Sequence, residues 1–144
     1  CCLCFVVSCS GYEPLFSTKS IDYYIKNIDN INEGRITSKI SKQLQSYSIK
    51  DITKKSYHLK INSNKKIIVA SKDLKGNPLV YKMSIKTSVI VIFNGKEIGT
   101  IDLEENFNFN NNSNKFYLSQ YKKKVEGNLI RKISELLIVK LQIL

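Results

Sequence analysis

The stretch from Leu79 to Phe93 constrains the chain more than any other. Leu79, Tyr81, Met83, Ile85, Thr87, Val89, Val91 and Phe93 fall on one side of a two-residue repeat, and Lys82, Ser84, Lys86 and Ser88 fall on the other. Only an extended strand has that period, and only a strand with one covered face needs that division. Turn signals bound it on both sides: Lys72-Asp73-Leu74-Lys75-Gly76-Asn77-Pro78 before it and Asn94-Gly95 after it. Beyond the second turn, Ile101, Leu103, Phe107 and Phe109 alternate with Thr100, Asp102, Glu104 and Asn106. A straight two-residue turn at Asn94-Gly95 would set Ile85 opposite Glu104 and Lys86 opposite Leu103, mixing the faces. A three-residue loop, Phe93-Asn94-Gly95 with Gly95 left-handed, pairs Ile85 with Leu103, Tyr81 with Phe107 and Lys86 with Asp102. The second register is predicted.

The remaining elements are placed around this hairpin. Ile21 to Ile28, with Tyr23, Tyr24 and Ile25, reads as a first strand. From Glu33, Ile36, Ile40, Leu44 and Tyr47 recur at helical spacing, with Asn32 as the expected cap. Tyr57, Leu59 and Ile61 alternate with His58, Lys60 and Asn62, and Ile67-Ile68-Val69-Ala70 resumes after a polar break at Ser63 to Lys66. Asn106 to Asn114 reads as an Asn-rich loop. Tyr117, Tyr121, Val125, Leu129, Ile133, Leu137 and Leu141 then repeat every four residues, the stripe of a long helix that tolerates Gly127. The predicted fold is α+β: a two-layer sandwich in the order β-α-β-β-β-α, with two helices on one face of a mostly antiparallel four-stranded sheet whose other face is polar.

The 144 residues suffice for one domain, placed at 21–144. No apolar run reaches the roughly 18 residues that a membrane-crossing helix needs. The formal charge is +11, from 23 Lys and Arg against 12 Asp and Glu, but only Arg35 and Arg131 are arginines. Arginine is the residue that forks onto guanines and phosphates, so this balance speaks against sequence-specific nucleic-acid binding. The abundance of Lys, Asn and Ile also matches an AT-rich coding bias, and the net charge by itself names no partner.

All four cysteines, Cys1, Cys2, Cys4 and Cys9, lie at the N-terminus, which suits neither a disulfide framework nor a paired-ligand zinc site. Residues 1–8 read as the apolar end of a signal peptide, without its start, and Val6-Val7-Ser8-Cys9 matches a bacterial lipobox. Ser8 would fit the signal-peptidase pocket and the Cys9 thiol would receive a diacylglycerol. Residues 9–20, with Gly11, Pro14 and several hydroxyls, would form a lipidated tether. Three acyl chains anchor firmly, since each buried methylene contributes about 0.8 kcal/mol.

No catalytic constellation stands out. His58 is the only histidine and falls on the polar side of its strand, no glycine-rich phosphate loop is present, and Asp102 and Glu104 are best read as charge partners of Lys86. The chain is therefore expected to be neither an enzyme nor the holder of a metal or cofactor. Lys60, Lys82 and Lys86 are expected to share the open face of the sheet, with Lys72 and Lys75 on the turn nearby. Clustered lysines on an exported, lipid-anchored protein suit phosphorylated lipid headgroups; solubility charge explains them equally well one by one.

Cys9-Ser10-Gly11-Tyr12-Glu13-Pro14-Leu15-Phe16 resembles the lipidated start of the LPS-assembly lipoprotein family, LptE, with Ser10 inserted before the glycine. The segment Leu79 to Val89 is similar to that family's central strand, and Asn128-Leu129-Ile130-Arg131-Lys132-Ile133 to its last helix. The resemblance implies two helices on a four-stranded sheet and a Gram-negative outer-membrane lipoprotein on the periplasmic side. It implies, further, that the protein plugs the LptD β-barrel and assists lipopolysaccharide transport to the cell surface. It places lipopolysaccharide contacts near the turn between the second and third strands, where Lys75 is the nearest match, with Leu74 or Lys72 taking the position if the turn length differs. A lipid-anchored binding module of another envelope transporter or a secretin would use the same lipobox and fold. A nucleic-acid-binding domain would require the lipobox to be false.

Overall fold

A computed structural model describes residues 21–144; the signal, tether and Cys9 readings lie outside them. The elements are β1 (Tyr23–Asn30), α1 (Arg35–Leu44) followed by a 3-10 turn (Gln45–Tyr47), β2 (Lys55–Lys72), β3 (Pro78–Phe93), β4 (Lys96–Asn110) and α2 (Lys115–Gln142). The predicted order and α+β class hold. The sheet runs β1-β2-β3-β4, with β1 parallel to β2 and the other pairs antiparallel. A parallel pair cannot be closed by a tight turn, and the crossover through α1 makes this one.

α1 lies against β1 and β2, α2 lies against β3 and β4, and the two helices touch each other. Their apolar stripes meet one face of the sheet. Ile36, Ile40 and Leu44 of α1 and Val125, Leu129, Ile133, Leu137 and Leu141 of α2 are buried with Ile25, Leu59, Ile61, Met83, Ile85, Val89 and Val91. The α2 stripe is wider than its four-residue repeat indicates, because Ile130 and Ile138 are buried as well. The side chain of Asn114 caps α2 by accepting from the Tyr117 amide at 3.0 Å.

Four local expectations are corrected. First, Asn94 (φ 50°) and Gly95 (φ 77°) form a two-residue turn with positive φ at both positions, pairing Phe93 with Lys96. Continued straight, this turn would mix the faces, as the sequence reading anticipated. A bulge at Ile98, between the pairs Ile92–Glu97 and Val91–Gly99, restores the alternation. Ile85 therefore faces Glu105, Tyr81 faces Phe109 and Lys86 faces Glu104, two residues away from the predicted partners.

Second, β2 has no break at Ser63 to Lys66; it pairs with β3 through that segment, because polar side chains do not prevent a strand whose backbone is bonded on one side. Third, β4 extends to Asn110, so the Asn-rich loop shrinks to residues 111–114. Fourth, Gly34 occupies the cap of α1 with no side-chain bond. Asn32 instead donates to the Ser63 carbonyl at 3.0 Å and accepts from the Thr37 hydroxyl, tying the β1–α1 connection to β2.

Candidate functional site

The strands differ in length, and this shapes the surface. β1 stops at Asn30 opposite Ile61, whereas β2 continues to Lys72. The β2–β3–β4 ribbon thus projects past β1, and the Lys72–Pro78 turn lies at the end opposite the point where Ile21 leads into the sheet. At about 3.3 Å per residue, β2 alone spans roughly 60 Å.

At the far end, the turn is built around Asp73. Its carboxylate accepts from the amides of Lys75 (2.9 Å) and Asn77 (2.8 Å) and from the Asn77 side chain (3.0 Å), while Gly76 takes φ 86°. These bonds, those from Asn77 first, hold the Asp73 carboxyl below its ordinary range. The acid is thereby committed to the turn. Lys72 and Lys75 project from it exposed, and among the described residues neither has an ion-pair partner within 4.0 Å.

The open face of the sheet carries Lys60, Lys82 and Lys86, as predicted, but they do not converge. Lys60 lies opposite Ile90, Lys86 opposite Asn64 and Lys82 opposite Ile68, so successive lysines are four β2 positions, or about 13 Å, apart. Lys86 is paired with Glu104 at 3.3 Å. The residue that the sequence reading missed is Lys66. It sits opposite Ser84, diagonal to both Lys82 and Lys86 at about 7–8 Å, and makes Lys66, Lys82 and Lys86 one patch. Its signal was parity: counted two by two from Lys60 through Asn62 and Asn64, it shares their face, provided that the strand is unbroken.

Lysines are only part of the far end. Leu74 at the turn apex is fully exposed, and Ile67, Ile68, Val69 and Leu79 are between 37% and 50% exposed. Leu79 keeps the apolar side of β3 predicted for it, yet it is half exposed. Phe107, Phe116 and Tyr117 are exposed at the same end. Exposed apolar side chains and unpaired lysines thus share this end of the ribbon: Ile68 with Lys66 and Lys82 on the open face, Ile67, Val69, Leu79 and Phe107 on the other face, and Leu74 with Lys72 and Lys75 at the turn. The arrangement is able to meet an amphiphile with anionic groups and hydrocarbon.

Elsewhere the polar chemistry is self-contained. His58 Nε2 is 2.7 Å from Asp29, with both groups on the open face. Among the described residues no cluster of three or more His, Cys, Asp or Glu side chains is placed to hold a metal, and no helix is long and apolar enough to cross a membrane.

No protein-family model matches the sequence, and no curated protein does either. Solved structures match the fold. Rare lipoprotein B from Shewanella oneidensis superposes with a TM-score of 0.63 at 12% identity, over 81% of this chain and 91% of that one. The fold is shared with bacterial lipoproteins. A minor lipoprotein from Acinetobacter baumannii matches with a TM-score of 0.61 at 7% identity, over 83% and 90% of the two chains. Lipoprotein B from Nitrosomonas europaea matches with a TM-score of 0.62 at 8% identity, over 92% and 90%. At such identities the lipoproteins have the architecture in common with this chain, and their residues do not transfer to it.

Proposed function

We propose that this chain is a lipid-anchored envelope protein of the LptE type. Cys9 carries the lipid, the helix-on-sheet body assembles with the LptD β-barrel at the outer membrane, and the far end of the ribbon engages lipopolysaccharide during transport. It acts without catalysis, and the chemistry it supplies is binding and positioning. The observation that carries this reading is the far end itself, where Lys66 and Lys82 stand beside exposed Ile68 on the open face and Lys72 and Lys75 flank exposed Leu74 at the turn. Phosphate groups match the ammonium charges and acyl chains match the apolar residues.

Two further features support the reading. The fold is shared with proteins named as lipoproteins. The ribbon runs roughly 60 Å from the start of β2 to the Lys72–Pro78 turn, against about 30 Å for a bilayer hydrocarbon core. A body anchored at one leaflet can therefore present its far end at the other side of the membrane, inside a barrel that shields its polar face.

The test is affinity capture of the full-length, membrane-extracted protein, with mass spectrometry of the N-terminal peptide and of its partners. A lipid-modified Cys9 with a large β-barrel in near-equal amount is the expected result. Lipidated Cys9 without a barrel would shift the assignment to an accessory of another envelope transporter or a secretin, and an unmodified cytoplasmic protein would overturn both. For the binding end, Lys66→Glu with Lys82→Glu is expected to weaken binding of purified lipopolysaccharide about tenfold, with a steep salt dependence. Binding unchanged in that variant, and in Lys72→Glu with Lys75→Glu, would overturn the lysine contact.

A further inference from the structure

β4 is an edge strand 15 residues long, and its outer side has no partner among the described residues. Past the bulge at Ile98 it runs without further irregularity from Gly99 to Asn110. A long, unpaired edge leaves a row of backbone donors and acceptors ready to bond another strand.

Two properties say what kind of strand fits. The first is charge. β4 holds four of the chain's 12 acidic residues and one of its 23 basic ones. Asp102 and Glu104 face the open side, both exposed, with Glu104 already shared by Lys86 at 3.3 Å and Asp102 without an ion-pair partner among the described residues. The second is shape. A groove of about 470 Å³ opens between β4 and α2, lined by apolar Phe107, Tyr121, Val125 and Leu129, by the Glu105–Lys132 pair at 2.7 Å and by Lys124, Arg131 and Glu135. No residue of β3 or α1 lines it, so it flanks the outer side of β4.

We propose that the β4 edge receives an extended peptide segment of a partner protein, one that alternates basic and apolar residues. Its backbone adds a fifth strand to the sheet. Its apolar side chains drop into the α2–β4 groove, and its Lys or Arg side chains lie across from Asp102 and Glu104 on the open face. Glu105 makes the edge selective: a charge pointing inward, satisfied by Lys132, disfavours wholly apolar strands at that position.

A second copy of the chain is disfavoured in the register centred on Leu103. Two β4 edges paired antiparallel about Leu103 would set Asp102 directly opposite Glu104 twice over, a like-charge arrangement. Pairing β4 with the exposed far half of β2 from another copy leaves a free edge on every molecule added, giving open filaments that a charge of +11 per chain opposes. The proposal stands apart from the lipopolysaccharide reading, which concerns the far end of the ribbon.

The test uses the full chain in detergent and short labelled peptides followed by fluorescence anisotropy. An alternating Val-Lys peptide is expected to bind, an alternating Val-Glu peptide to bind about tenfold or more weakly, and Asp102→Asn with Glu104→Gln to weaken the Val-Lys peptide about tenfold. A Val-Lys peptide methylated on alternate amides keeps its charge but cannot pair as a strand. Its binding is expected to be lost, and amides of residues 100–110 are expected to gain hydrogen-exchange protection with the unmethylated peptide alone. Equal binding of the methylated peptide, equal binding of the Val-Glu peptide, or sedimentation showing that the protein saturates its own edge by self-association would each overturn the proposal. Unchanged melting of the charge variant in the absence of peptide separates lost binding from lost folding.

Discussion

Glu126 shows how one residue can fasten three elements. It sits on α2 with 5% of its side chain exposed, and its carboxylate meets Lys39 of α1 and, at 2.6 Å, Lys65 of β2, with Arg35 at 3.8 Å. Burial alone would raise its pKa, but the hydrogen bonds and charges of Lys39 and Lys65 outweigh it and hold the carboxyl below the ordinary glutamate range. The sign follows. A depressed folded-state pKa means that the unfolded chain binds the proton first, so the stabilisation is complete above the ordinary glutamate range and drains away as pH falls through and below it. Glu126→Gln is expected to destabilise the protein by about 2 kcal/mol in urea titration at neutral pH, below the roughly 3–5 kcal/mol of a fully buried ion pair because both lysines are partly exposed and can turn to water. The difference between the two proteins should shrink as the titration is repeated at progressively lower pH. A constant difference would show that shape rather than charge is what Glu126 contributes.

Among the elements, the β3–β4 hairpin separates what alternation can reveal from what it cannot. Periodicity correctly assigned the faces of Met83, Ile85, Val89, Val91, Ile101 and Leu103, because burial enforces parity. It could not secure the register, since a shift of two preserves every face, and the predicted pairing of Ile85 with Leu103 is wrong by two residues; the choice is made by the positive φ of Asn94 and the bulge at Ile98. Gly95→Ala is accordingly expected to destabilise the protein by about 1 kcal/mol, measured by thermal or urea unfolding, because φ of 77° strains any side chain. Helix α2 and the order of elements were legible for a similar reason, being repeated patterns that a single residue cannot disguise. The unbroken course of β2 was not, because Ser63 to Lys66 is strand-forming only through its partners on β3. That misreading hid Lys66, and the exposed apolar residues of the far end were hidden because exposure depends on where neighbouring elements stop.

For the whole molecule, the parallel pairing of β1 with β2 has a consequence in time. β2, β3 and β4 are joined by short turns and can zip up locally, whereas β1 can dock only after the connection through α1 has closed. Contacts of low sequence separation form sooner, so the hairpin ribbon is expected to assemble first and the segment nearest the N-terminus last. In kinetic terms, Val89→Ala should slow refolding, while Ile25→Val, at a fully buried position of β1, should leave refolding almost unchanged and hasten unfolding instead. Stopped-flow refolding of the two variants checks this, and the reverse pattern would place β1 in the nucleus. If the ribbon forms first, the first strand is also the first to let go: under a pull on the N-terminus, β1 would peel from β2 while the rest of the sheet stayed intact.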